Sequence, residues 1–173
     1  KYAWWTMITS LEPILVVRNA VLFPHMVMPL TVGRPRSIAA VEAALESNQT
    51  LSVFTQPDAT LEEPGLEDLH PIGTRAVIQK SSRGQNGYQL VLQGQERVRL
   101  IKLQESAVRA RVQTLPVADD QNSVVEALQR DVLELSAQLL TLASQAPPEA
   151  TSALVQQLAS QFDDPMMLAY FVA

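Results

Sequence analysis

Arg97-Val-Arg-Leu-Ile-Lys-Leu103 and, after a short break, Ala107-Val-Arg-Ala-Arg-Val-Gln113 alternate apolar and basic side chains. Successive side chains of a strand point to opposite faces, so this alternation predicts two strands with one inward face each. In the second, Val108, Ala110 and Val112 share one face while Arg109 and Arg111 share the other. Other strand signals lie upstream. Ile14–Val17 is a β-branched run, Leu51–Thr55 alternates, and Thr74–Gln79 and Tyr88–Leu92 flank a turn at Ser82-Arg-Gly-Gln-Asn-Gly87. Asn86-Gly87 is that turn's hairpin signal. Val27-Met-Pro-Leu-Thr-Val32 also reads as a strand, placed at an edge or bulge by Pro29. One helix interrupts the series, with Ile38, Val41 and Leu45 on one stripe. Strands following strands with a single helix predict a twisted sheet or partly closed barrel over residues 11–116.

The pattern changes near Leu115-Pro-Val-Ala-Asp-Asp120. Residues 1–116 carry 12 bases and 10 acids, whereas residues 117–173 carry one base, Arg130, and eight acids. The second part has no glycine, and its apolar residues fall at helical spacing. Val125, Leu128, Val132, Leu135, Leu139 and Leu142 form an a/d seam behind a capping-box pattern, Ser123-x-x-Glu126. Leu133 and Leu140 widen the stripe, which favours packing within a small bundle. Pro147-Pro148 ends that helix and opens a second, whose inward face is expected to carry Leu154, Leu158 and Phe162. Asp164-Pro165 is an N-cap followed by proline at N1, opening a third with Leu168 and Phe171 inward. The expected fold is therefore α+β: a β-rich subdomain over 11–116 and a helical-bundle subdomain over 117–173. The bundle reads as truncated, because Ala173 ends the third helix without a C-cap. Residues 1–10 lack an initiator Met and read as a cloning remnant or a trimmed or disordered start.

Composition excludes much. The chain of 173 residues is 47% hydrophobic and 18% charged, a folding composition, with no cysteine for disulfides, thiol chemistry or cysteine-bound metal. Two histidines, His25 and His70, without a short spaced pair argue against a metalloenzyme. No phosphate-cradling glycine loop and no nucleophile-elbow serine is present, so no catalytic residue is assigned and no cofactor is expected in this chain. The acidic pairs Glu62-Glu63 and Asp119-Asp120 read as solvated turns. A net charge of −5 disfavours nucleic acid as the partner, and no stretch is long and apolar enough for a membrane span.

Two features are candidates for binding. Phe23-Pro-His-Met-Val-Met-Pro-Leu30 is apolar and methionine-rich, and methionine adapts to varied apolar partners. Its candidate contacts are Phe23, Pro24, His25, Met26 and Met28. The second feature is the basic set Arg97, Arg99, Lys102, Arg109 and Arg111, which reads as a solvated strand face or a polyanion or ion-pairing surface.

Val17-Arg-Asn-Ala-Val-Leu-Phe-Pro-His-Met-Val-Met-Pro-Leu-Thr-Val-Gly-Arg34, with Ser37-Ile and Val41-Glu-Ala-Ala following, resembles the opening of the N-terminal domain of Lon, the ATP-dependent AAA+ protease. Further motifs follow in order: Glu63-Pro-Gly, Ile72-Gly-Thr, Val91-Leu-Gln-Gly-x-x-Arg-Val-Arg99, Pro147-Pro-Glu149 and Asp163-Asp-Pro165. The resemblance covers residues 11–173. It implies a PUA-like twisted sheet plus a helical bundle, and a non-catalytic domain that recognises unfolded, damaged or degron-tagged proteins and supports homohexamer assembly. It implies a bacterial, cytoplasmic setting. The parent it implies is an ATP-dependent serine endopeptidase with a Ser–Lys dyad, whose ATP and Mg belong to an AAA+ module absent from this chain. Arg34 and Arg36 are then further substrate-contact candidates, although Arg34-Pro35-Arg36 replaces the acidic-then-basic pair of many relatives. A purely architectural oligomerisation domain and a PUA-like RNA-binding module are the alternatives.

Overall fold

A computed structural model describes residues 8–117, 122–144, 147–160 and 164–173. The expectations for residues 1–7, Asp119-Asp120, Phe162 and the side chain of Leu158 lie outside the described residues. The chain divides into two compact units, the first ending at Pro116 and the second beginning at Val117.

The first unit contains strands β1 (Thr9–Arg18), β2 (Val27–Val32), β3 (Thr50–Gln56), β4 (Ile72–Gly84), β5 (Gly87–Leu103) and β6 (Arg109–Thr114), and helix α1 (Pro35–Leu45). A 3₁₀ turn spans Leu66–Asp68. The sheet order is β2-β5-β4-β3-β1-β6, and β5 also pairs with β6. Five strands thus close a ring, and β2 lies outside it on β5. The single parallel pair is β1–β3, joined through β2 and α1. β5 serves three neighbours along its length, and its register with β4 and β6 shifts near Ala76, Lys80 and Lys102, which lets it curve.

Strand alternation splits the apolar residues between two cores. Ile14, Phe54, Leu69, Val98, Leu100, Ala110 and Val112 pack together within the ring. Leu15, Val17, Leu51, Val53, Ala76, Ile78, Leu90 and Leu92 point the other way and pack with Val41 and Ala44 of α1. Met28 and Leu30 of β2 cover part of this second core. The ring core gives way to a polar network at Arg75, which hydrogen-bonds Glu12, Glu96, Ser10 and Thr114. Glu12 also accepts from Ser52. Arg75 and Glu12 are only 14% and 13% exposed. Burial pushes the Glu12 carboxyl upward, but hydrogen bonds from Arg75, Ser10 and Ser52 and the Arg75 charge outweigh it and hold it below the usual carboxylate range. These partners come from strands scattered through the sequence, and sequence reasoning did not find them.

The β4–β5 hairpin turns at Gln85-Asn86, with Gly84 paired to Gly87, one residue earlier than the Asn-Gly reading placed it. Gly87 is needed for another reason. Its φ is +142°, and a Cβ there would sit 1.8 Å from the Val32 carbonyl oxygen.

The second unit contains α2 (Ser123–Ser144), α3 (Pro148–Ala159) and α4 (Pro165–Val172). Asn122, not Ser123, caps α2: its side-chain oxygen accepts from the N–H groups of Val124 and Val125. Asn caps as well as Ser, so the capping-box spacing that pointed to Ser123 does not exclude the residue before it. The inward faces also differ from expectation. Leu128, Leu135, Leu139 and Leu142 of the a/d seam are exposed, as are Leu154 and Phe171. Thr151 and Val155 are buried instead, Leu168 is buried as expected, and Thr141 and Thr151 hydrogen-bond at 2.6 Å between α2 and α3. Asp164 caps α4, accepting from Met166 N–H, with Pro165 at N1 as expected.

Candidate functional site

The sequence-derived candidates fall at opposite ends of β2. At its start, residues 19–26 form a fastened turn. Thr55 and Thr74 donate their hydroxyls to the carbonyls of Ala20 and Leu22. The His25 N–H donates to the Gly94 carbonyl at 3.0 Å, and the Gly94 N–H donates to the Met26 carbonyl at 2.8 Å. Gly94 permits this approach, since a Cβ would lie 2.3 Å from the Phe23 oxygen. His25 takes a positive φ of 66° at the turn. Pro24 is buried, Phe23 is half-buried and His25 is exposed. Met28 is half-buried and packs against the core, so it contributes to stability. The outward apolar atoms here belong to Val21, Met26 and Val27.

At the other end of β2, Arg34 and Arg36 stand on the wall of a cleft of about 150 Å³. Its apolar lining is Ile14, Val16, Leu69, Leu103 and Ala107, continuous with the ring core. Its walls are the start of α1 and the loop Glu62-Glu63-Pro64. The Arg34 guanidinium donates to the Val16 carbonyl and, at 3.2 Å, to Gln56 Oε1. Arg18 pairs with Glu62 at 3.4 Å, and Arg36 pairs with Glu63 at 3.6 Å. The loop is therefore tied down by two exposed ion pairs, each worth little, about 0–1 kcal/mol. Arg34 makes no ion pair among the described residues. Burial pushes its pKa down, as do the charges of Arg18 and Arg36, with Glu62 opposing. No acidic residue lies in the first turn of α1, and no side chain caps it, so the positive end of its dipole adds to the same field.

The cleft can therefore accept one apolar side chain against its floor and one anionic group at its wall. Glu62-Glu63 form part of the site, where the sequence suggested only a solvated turn. Arg18, Leu69, Leu103 and Ala107 were not foreseen, because the ring closure that brings them to Arg34 joins segments remote in sequence.

The basic set forms part of the outer sheet face. Arg99 pairs in register with Gln113, and Lys102 with Arg111. Arg109 follows on the Arg111 face, opposite Pro13 of β1. Arg97, opposite Thr74, and Arg109 are half-buried, whereas Arg99, Lys102 and Arg111 are exposed. None of the five makes an ion pair among the described residues. No described helix is long and apolar enough to cross a membrane. Among the described residues, no group of three His, Asp or Glu side chains gathers as a metal site.

Residues 12–173 match the family described as the ATP-dependent protease La (LON) substrate-binding domain. The chain is 41% identical over 133 residues to the Lon protease of Nitrosococcus oceani, covering 75% of this chain and 17% of that protein. It is 35% identical over 165 residues to the Lon protease of Desulfovibrio desulfuricans, covering 93% of the chain and 18% of the relative. It is 31% identical over 166 residues to the Lon protease of Escherichia coli K12, covering 93% and 20%. The chain thus spans about a fifth of the curated relatives it matches. Its fold is similar to the N-terminal domain of Mycobacterium avium complex Lon protease, with TM-score 0.60 and 20% identity over 86% of this chain and 75% of that one. It is also similar to a Lon N-terminal domain protein from Xanthomonas campestris, with TM-score 0.53 and 20% identity over 93% and 98%. The α+β reading and the resemblance drawn from the sequence both hold. The chain belongs to the LON substrate-binding domain family.

Proposed function

We propose that this chain is the non-catalytic N-terminal domain of a bacterial, cytoplasmic Lon protease, and that it recognises unfolded, damaged or degron-tagged proteins through apolar contacts. The observation that carries this reading is the cleft between α1 and the Glu62–Pro64 loop, where the ring core is left open beside Arg34 and Arg36. The turn at Met26 and Val27 is a second apolar contact. Each domain binds weakly, and several domains in one homohexamer supply the avidity. The exposed leucines of α2 support assembly of that hexamer. Peptide-bond hydrolysis, with its Ser–Lys dyad, ATP and Mg, belongs to the rest of the parent protein.

The test is an NMR titration of the labelled chain with a thermally unfolded protein and, separately, with a short RNA, each at low and moderate salt. Shifts with the unfolded protein that survive salt and map to residues 21–36, Leu69 and Leu103 are expected. Shifts with RNA alone, collapsing with salt and centred on residues 99–111, favour the PUA-like reading, for which the unpaired cations of β5 and β6 are the supporting observation. No shifts with either ligand leave the domain architectural.

A further inference from the structure

One cation on the cleft wall, Arg34, has no carboxylate partner among the described residues. Arg34, Arg36, Glu62 and Glu63 line the cleft, and Arg18 reaches Glu62 from outside that lining. The two carboxylates are taken by Arg18 and Arg36. Arg34 is left with neutral acceptors only, a backbone carbonyl and a glutamine oxygen. It is also the most constrained of the three, held between β1 and β3 at the mouth of the apolar floor. What the site lacks is one anionic oxygen pair, placed beside an apolar side chain.

We infer that the cleft is a receptor for the free C-terminus of a polypeptide, seating the last side chain on Ile14, Val16, Leu69 and Leu103 and the α-carboxylate on Arg34. This rests on the reading of the chain as a substrate-recognition domain and specifies the class of substrate. Size supports it: the cleft's 150 Å³ matches a cavity that admits one benzene ring, so it takes one large side chain and not a continuous segment. Connectivity supports it too. A terminal residue carries its side chain and its carboxylate on one Cα, so both reach a single small cleft together. An internal Asp or Glu places its carboxylate at least one residue from the apolar group and must also thread chain out on both sides. Carboxylate capture by a guanidinium is a charge-assisted contact, roughly twice as strong as a neutral hydrogen bond. The loop Glu62-Glu63-Pro64, tied by weak exposed pairs, is positioned to give way as the terminus enters.

The experiment is fluorescence anisotropy with the full chain and three labelled decapeptides of one Gly-Ser-Ala sequence. One ends in phenylalanine with a free carboxylate, one in phenylalanine amide, and one in an amide with an internal Glu-Phe pair. We expect the free acid to bind about tenfold more tightly than either amide. Raising salt should narrow that gap. Arg34→Gln should abolish it, Arg34→Lys should restore most of it, and Arg111→Gln should leave it intact. Circular dichroism checks that each variant is folded, and Arg36→Gln serves as a second rim variant should Arg34→Gln fail to fold. Equal binding of acid and amide overturns the inference while leaving substrate recognition in place. Binding of neither the peptides nor a thermally unfolded protein overturns both.

Discussion

Arg75 reaches three other strands of the ring from its place on β4, and its partners explain why a charged residue is tolerated so near a core. A guanidinium that satisfies Glu12, Glu96, Ser10 and Thr114 offsets its own desolvation, but removing it strands Glu12 without a cation. Arg75→Met should therefore cost about 2–4 kcal/mol in urea unfolding, more than loss of an exposed pair. The same network fixes a pH dependence. Glu12 is held below the ordinary carboxylate range in the folded chain, so the unfolded chain binds more protons in acid. Stability is then complete above about pH 5 and falls as acid protonates Glu12. Glu12→Gln should lower stability at neutral pH and flatten the acid limb; an unchanged acid limb would show that other carboxylates set it. Gly87→Ala belongs with these, since both its positive φ and the Val32 carbonyl oppose a Cβ. A loss of about 1–3 kcal/mol, read as a lower melting temperature, is expected.

The strand β2 separates what the sequence joined. Its alternation turns Met28 and Leu30 inward and Val27, Pro29 and Thr31 outward, so a methionine-rich run divides between core and surface. Met28→Asp should destabilise the first unit, because it sets an unpaired carboxylate against the apolar core at a half-buried position. Val27→Asp, one residue away and 54% exposed, should leave stability within about 0.5 kcal/mol. The strands, their alternation and α1 were legible because period-two patterning and a helical stripe are local signals. The cap of α4 was legible for the same reason. Helix orientation in the second unit was not, because a stripe of leucines does not say which part of it a neighbour covers. The site was half legible. Arg34 and Arg36 stood out through the motif around them, but Arg18, Glu62, Leu69 and Leu103 join them only through ring closure, which leaves no mark on any one stretch.

The break between the two units falls where bases and glycines give out and acids take over, at Pro116 and Val117. The first unit holds both apolar clusters, the Arg75 network and the cleft within residues 8–116. A fragment of residues 8–117 should therefore fold alone, with a single cooperative urea transition and the cleft's affinity for unfolded protein intact. The basic outer face of β5 and β6 competes with the cleft as a binding surface, and the two predict different contacts. The direct discrimination is photocrosslinking from a benzoyl-phenylalanine placed at Glu63, on the cleft rim, or at Arg111, on the basic face, with a radiolabelled unfolded protein as bait. Adducts from position 63, undiminished at moderate salt and absent from position 111, are the predicted result. Adducts from position 111 alone would contradict substrate recognition through the cleft.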